Sequence, residues 1–552
     1  MRKIALSAAL ALASVCSYAQ TANDALLFSE SDYMGTARTA AMGNAFTALG
    51  GDLGSIGINP AGSAVAKYSQ VTLTPAVSIS TSETIGVSPY QDGSLPYFDR
   101  RMRNTSSVFR LPNIGFTFNI NTHRKTGLKN VTIGFIANCT NSWNEDTYAN
   151  GRNSTTSFMG AMAASATANG YLGSELNLDK AYDIYPWKDV VGYQSGMIST
   201  FGGSDNMFAG ASEGIYQNGD KLEIALAGPL DQTFGRRTRG SKYEYLLNFG
   251  ANISDFLYFG VNAGLTTMQY NLTEYFKEEA IDPSDFEIEL DNGEKLYFKD
   301  MKYRYNYDAS SSGYFAKFGL IVTPGAGLRI GAAVSTPTVM KIKEGWNHYG
   351  ETNYTSSSYD AYASSPDGED SYSFRAPYSA NFGLAWTIMK MAVISADYEL
   401  CDYRTMKFKS SMFDSSRDYF NDINEDIRKR YGISHTFRLG AEVKFFNALA
   451  VRAGYGVRSA AEKKSYNGNE LPGLYTHKAS FGLGYSSKNS FFADIACVSS
   501  FVTTPGSGRT GEYIMPYDDY LFDDNGSVLS YTPEILNIKS SWKVLLTLGW
   551  RF

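Results

Sequence analysis

The stretch Trp542-Lys543-Val544-Leu545-Leu546-Thr547-Leu548-Gly549-Trp550-Arg551-Phe552 decides the fold. Successive side chains of an extended chain point to opposite sides, so Trp542, Val544, Leu546, Leu548, Trp550 and Phe552 share one face. Lys543, Thr547, Gly549 and Arg551 take the other, with Leu545 the exception. A soluble sandwich would turn the apolar face inward. A membrane barrel would turn it to lipid, with aromatic residues at the rims.

Working outward from this segment, the same alternation recurs and predicts fourteen strands. They are placed at 71–79, 113–121, 130–140, 242–253, 256–272, 313–323, 326–336, 378–388, 391–402, 435–445, 448–458, 477–486, 490–500 and 540–552. The links between them discriminate further. Those after even-numbered strands are two to eight residues long, whereas those after odd-numbered strands run from 18 residues (459–476) to 101 (141–241). Short periplasmic turns alternating with long outer loops are the mark of a barrel inserted from the periplasm. The expected fold is therefore all-β, a 14-stranded antiparallel transmembrane β-barrel over 67–552. An even strand count puts both barrel ends, and so the N- and C-termini, on the periplasmic side of a bacterial outer membrane. Trp550 and Phe552 then read as the insertion signal that barrel-assembly machinery recognises.

Composition agrees. Aromatic residues make up 14% of the 552 residues and Gly contributes 52, while charged residues are only 19% and the net charge is −6. That balance argues against a nucleic-acid partner held by bulk charge. Past the N-terminus no run of about 18 apolar residues suggests a helical span. Arg2 and Lys3 followed by the apolar run Ile4–Val15 and the small residues of Ser17-Tyr18-Ala19 read as a signal peptide, 1–19. Val15 before Cys16 argues against a lipoprotein signal. Cys139, Cys401 and Cys497 are too few and too scattered for a disulfide framework.

Residues 20–66 do not alternate. They are dense in Gly and Ala, from Gly35 through Ala41-Met42-Gly43, Ala45-Phe46 and Ala48-Leu49-Gly50-Gly51-Asp52 to Asn59-Pro60-Ala61-Gly62. Asp52 is placed to cap a helical turn ahead of the Asn-Pro stop. A compact segment tethered to the periplasmic end of a barrel is suited to filling its lumen, which disfavours a general diffusion porin.

The run from Gly35 to Gly62 resembles the N-terminal hatch of the FadL/TodX-type outer-membrane transporters. Gly331–Pro337, Asp397–Tyr403, Arg438–Glu442 and Arg452–Tyr455 extend the resemblance to that family over most of the barrel. Some relatives of this kind are labelled haemin receptors. The resemblance implies a fourteen-stranded barrel with a hatch inside it and passive passage of a hydrophobic compound. Fatty acid or hydrocarbon is the implied cargo, with haem one apolar ligand among others, and release is sideways into the lipid bilayer. It also implies that Asn59, Pro60, Ala61 and Gly62, with Asp52, hold the hatch. Gly134, within the third strand, marks a kink beside the lateral opening, though the bland reading is a small residue in a wall.

Nothing in the sequence selects an enzyme, a metal site or a cofactor. The four histidines are separated, with His123 in a short turn, His348 in a loop, and His435 and His477 at strand starts. Gly506–Gly511 satisfies a dinucleotide pattern without the strand–helix context that gives it meaning, and Asp523–Gly526 lacks the acidic residues of a calcium loop. The alternative to transport is a secretion, assembly or surface-interaction component built on the same barrel.

Overall fold

The computed structural model describes residues 21–87, 97–218, 221–290, 292–389, 391–409, 417–446, 448–463, 465–466, 469–470, 473–487, 490–504, 508–517 and 533–552. The expected signal peptide and the Asp523–Gly526 stretch lie outside these residues, as does part of Gly506–Gly511. Among the described residues fourteen wall strands form one closed antiparallel barrel. They are β1 (Gln70–Val87), β2 (Met102–Asn121), β3 (Leu128–Asn153), β4 (Leu230–Ile253), β5 (Leu257–Ala280) and β6 (Lys295–Gly325). Next come β7 in two pieces (Leu328–Ser335 and Val339–Tyr354), β8 in two pieces (Gly368–Arg375 and Ser379–Ile388) and β9 (Ala392–Asp402, continued by Lys407–Lys409). The last are β10 (Ile433–Phe445), β11 (Leu449–Ser459), β12 (Tyr475–Ser486), β13 (Phe491–Thr504) and β14 (Glu534–Arg551). Each pairs with the next, and β14 closes on β1 with Trp550 opposite Val71. Ser69 and Phe552 complete the seam by exchanging two backbone hydrogen bonds of 3.0 Å.

Lipid-facing alternation explains the wall. Val71, Phe116, Leu247, Leu265, Phe318, Leu384, Leu439, Val451, Leu483 and Trp542 are all exposed on its outer surface. Leu545, the exception on the last strand, points inward and packs against Ala37, Ala40 and Ala41. Phe118 and Phe552 meet at 6.4 Å, and Phe491 and Trp550 at 4.9 Å, near the short-turn end. The links after even-numbered strands are two to six residues. His123, Ser254, Asp255, Ala326, Met389, Phe446 and Ser490 take positive φ there, as tight reversals demand.

Away from the short turns the strands run far past the expected boundaries. The longest link shrinks from 141–241 to 154–229, because β3 and β4 remain paired up to Asn153 opposite Leu230. His348 lies on β7 rather than in a loop. The polar segments expected to be loops belong to an extension whose interior is apolar. α5 (Phe158–Ala168) and α6 (Trp187–Gln194) help to fill it, with Phe98, Phe158, Met162, Phe208, Phe276 and Phe298 in its core. Within the link after β5 a short hairpin turns around Asn292-Gly293, with Glu287 opposite Tyr297.

Two features interrupt the wall. β2 and β3 are paired only from Asn121 opposite Asn130 to Asn113 opposite Asn138. Beyond that pair, the rest of β2 follows β1, whereas β3 irregularly steps between Cys139 and Asn141 and follows β4. The ladder between them ends at Pro112, which has no N–H to donate. Beyond it they are linked by side chains, Asn144 Nδ2 donating to Ser106 Oγ at 2.9 Å and Arg110 Nε to Ser142 Oγ at 3.3 Å, and by a bridge of Arg100 to Asn150. β7 and β8 break side by side, at Thr336-Pro337-Thr338 and Ala376-Pro377-Tyr378.

Candidate functional site in the barrel lumen

Four short helices precede the wall: α1 (Ala22–Ser29), α2 (Ala37–Ala41), α3 (Leu53–Ile58) and α4 (Gly62–Val65). Capping sets their starts. Thr21 and Thr36 each begin a reciprocal box, and the Asp52 carboxylate accepts from Gly54 N at 2.8 Å as the N-cap of α3. Thr36 Oγ1 also donates to Asp52 Oδ1 at 2.6 Å, which ties α2 to α3.

The wall receives this segment on glycine. A Cβ added at Gly319 would lie 1.9 Å from Asn59 Oδ1, at Gly331 2.2 Å from Thr47 O, and at Gly454 2.1 Å from Gly43 N. Much of the strand glycine therefore serves close approach of two backbones. Polar groups then fix the segment. Asn59 is fully buried and donates from Nδ2 to Thr47 O at 2.6 Å, with the wall carbonyls of Leu320 and Ala332 at 3.2 and 3.3 Å. Its Oδ1 accepts from Ala61 N at 3.0 Å. Asn248 Nδ2 donates to Pro60 O at 3.1 Å, and Gly62 O accepts from Gly51 N at 2.8 Å. Thr47 donates to Asp397 Oδ2 from both N and Oγ1, at 2.8 and 2.7 Å.

Asn59, Pro60, Ala61, Gly62 and Asp52 are thus all buried where the segment meets itself or the wall. Gly134 is elsewhere. It lies in unbroken pairing, opposite Thr117 on β2 and Asn248 on β4, and the irregularities of β3 fall at Leu128–Asn130 and Cys139–Asn141. Trp550 and Phe552 are exposed on the outer face near the seam. Sequence reasoning assigned no role to the charged residues that grip the segment. Arg38 pairs with Glu442 at 2.9 Å, Arg452 pairs with both Glu442 and Asp494 at 2.6 Å, and Asp32 is held by Lys478 and Lys543. Inward lysines and arginines among glycines were the available signal, since a charge facing a barrel interior needs a partner there.

Between the segment and the wall lies a cavity of about 200 Å³. Met34, Ile58, Val457, Val498 and Leu545 supply apolar surface, and Pro377 lines it at the break in β8. Six cationic side chains and three carboxylates also line it. Lys242, Lys317 and Arg458 donate to the segment's carbonyls of Phe28, Gly57 and Ser31 at 2.7, 2.6 and 3.1 Å. Arg438 is paired with Glu399, and Asp32 lies between its two lysines. A second cavity of about 240 Å³ shares Tyr403, Ser434, Arg458 and Thr476 with the first and lies towards the long-link end. The N-terminal arm also grips β3 where that strand leaves β2. Asp32 N and Met34 N donate to Thr140 O and Cys139 O, at 2.5 and 3.2 Å.

No family model matches the chain, and no curated protein matches it. Among solved structures it is similar to a FadL homologue of Pseudomonas aeruginosa, at 14% identity over 94% of this chain and 99% of that one, with a TM-score of 0.48. It is also similar to the toluene transporter TodX of Pseudomonas putida, at 12% identity over 95% and 100% with a TM-score of 0.46, and to the Ralstonia pickettii toluene transporter TbuX, at 11% over 94% and 98% with a TM-score of 0.44.

Proposed function

We propose that the protein carries a hydrophobic compound passively across a bacterial outer membrane, with residues 20–66 as a hatch and the long-link end outward. The observation that carries this reading is the cavity between a lumen-filling segment and the wall. A second cavity nearer the long links shares Tyr403, Ser434, Arg458 and Thr476 with it. An open pore needs no such segment. The cationic excess of the lining suits a cargo with an acidic group at one end of an apolar body, because an anion there meets preplaced donors.

Release is proposed to be lateral, between β2 and β3 beyond Asn113 and Asn138, where pairing stops. A greasy cargo that passes from the lumen directly into lipid avoids an aqueous crossing. Because Asp32 and Met34 are bonded to β3 at its irregular step, movement of the hatch arm and loosening of that strand are one event.

The test is uptake into cells or proteoliposomes of a long-chain carboxylic acid, its methyl ester and a small hydrophilic solute. The expected order places the acid first and the hydrophilic solute last. Equal passage of all three would make the barrel a general pore and end the proposal. The secretion or assembly reading keeps one supporting observation, the edge of β2 from Met102 to Leu111 that β3 leaves unpaired and that a partner strand would complete. A co-purifying protein occupying that edge would favour it.

A further inference from the structure

The outer surface of β7, β8 and β9 changes character within a few residues. Val334 and Phe382 are exposed there as part of the apolar belt. Towards the long-link end, register sets Tyr314, Val339, Arg375 and Lys407 side by side in one row, and Ser312, Lys341, Ser373 and Lys409 in the next. Neighbouring strands are about 5 Å apart and alternate residues about 7 Å apart, so the four cations share one small patch. Lys341, Arg375, Lys407 and Lys409 are all exposed, and among the described residues none of them makes an ion pair. Neither row contains an outward carboxylate. Among the described residues of β6 and β8 the next outward carboxylates, Asp308 and Glu369, flank Gly345 in a row beyond Lys343.

Tyr314 and Val339 share the first basic row, so the patch begins where the apolar surface ends. In a bilayer that is the depth of the headgroups, where lysine and arginine stems lie along apolar surface and their charges meet anions. Four clustered cations without protein partners repel one another, and closely spaced phosphates remove that cost. We infer that this face holds the phosphate-bearing headgroup of a membrane glycolipid, with its acyl chains on the Val334–Phe382 surface below. The inference rests on the barrel's placement in a membrane and not on its cargo, so failure of the uptake experiment leaves it standing.

The full-length barrel in mild detergent is incubated with bis-phosphorylated lipid A or its dephosphorylated form, and retained lipid is counted by native mass spectrometry. Folding of every variant is checked by the heat-dependent shift in electrophoretic mobility. The expected result is retention of the phosphorylated form only. Retention falls roughly tenfold or more in the combined variant Lys341→Ser, Arg375→Ser, Lys407→Ser and Lys409→Ser. It is preserved when the three lysines are changed to Arg. A control that changes the exposed Arg124, Lys125, Lys180 and Lys295 to Ser is expected to retain lipid as the unmodified protein does. Equal retention by the combined variant, equal loss in the control, or indifference to the phosphates would each overturn the assignment.

Discussion

Arg38 reaches from α2 to the barrel wall and places Nε 2.9 Å from a carboxylate oxygen of Glu442. The Glu442 side chain is fully buried, and the same oxygen accepts from Arg452 Nε at 2.6 Å, while Arg452 in turn holds Asp494. With Lys444 Nζ 3.8 Å from the other Glu442 oxygen, three cations and two carboxylates meet at the junction between segment and wall. Removing one partner of such a buried network is costly, on the order of 3–5 kcal/mol, because the charge left behind has no water to replace it.

The two ends of this network are not equivalent. Arg38→Ala leaves Glu442 paired with Arg452, whereas Glu442→Ala leaves the Arg38 guanidinium without its carboxylate and Arg452 with Asp494 alone. Hydrogen exchange of residues 37–50 is therefore expected to quicken more in Glu442→Ala than in Arg38→Ala. Equal protection in both variants would mean that glycine packing alone holds the segment.

A second prediction isolates that packing. A methyl group at Gly331 has no room, because the facing atom is the Thr47 carbonyl oxygen, whereas one at Gly456 meets nothing closer than 3.7 Å. Gly331→Ala is expected to shift the segment, raise the conductance of the barrel in planar bilayers and speed proteolysis between Thr47 and Asn59. Gly456→Ala is expected to change neither. Unchanged conductance in Gly331→Ala would show that the segment is not what blocks the lumen.

What the sequence disclosed, and what it hid, follows the physics of each depth. At the membrane level apolar residues lie outside, so Phe318 and Leu320 alternate against Lys317 and Gly319 and β6 is legible. Nearer the long links the phase reverses: Tyr303 and Tyr307 turn inward to an apolar core, while Asp308 and Ser310 face water. A search for one apolar phase stops at the reversal, and extended strands read as polar loops. The hatch motif led to Asn59, but its grip on the wall was hidden in pairings such as Arg38 with Glu442, separated by hundreds of residues. Gly134 was singled out for being a glycine, yet the step in β3 at Cys139–Asn141 lies among ordinary polar residues.

Asp189, in the first turn of α6, makes the outer extension sensitive to pH. Burial raises its carboxyl to about 6 against the opposing pull of Lys188. The folded state then binds more protons than the unfolded state between about pH 4 and 6, so stability falls as pH rises through that window and levels off above it. The effect is at most about 3 kcal/mol on local opening of the extension. Exchange of α6 amides, corrected for intrinsic rate, is expected to be slower at pH 4 than at pH 7. Glu278, raised to about 7 by burial, acts in the same sense. His348 beside Trp187, lowered to about 4 by burial, acts against it. Asp189→Asn is therefore expected to lessen the slowing at pH 4. A pH dependence that survives undiminished in Asp189→Asn belongs to another group.

The last prediction asks whether the segment must move. Thr47 Oγ1 and Asp397 Oδ2 lie 2.7 Å apart, so cysteines at these two positions face each other across the junction. Cys139, Cys401 and Cys497 are free thiols and are first replaced by Ala. Oxidation of Thr47→Cys/Asp397→Cys then ties the Thr47 turn to β9. Neither position lines the cavity, whereas Cys401 does, so the cysteine-free protein is the parent for comparison. If cargo passes by displacing the hatch, uptake of the long-chain acid is expected to stop in the oxidised protein and return on reduction. The reduced protein has lost both hydrogen bonds from Thr47 to Asp397 and is expected to transport at least as fast as the parent. Equal uptake before and after reduction would show that cargo passes a stationary segment. Coupling between the arm at Asp32 and the step in β3 would then have no part in release.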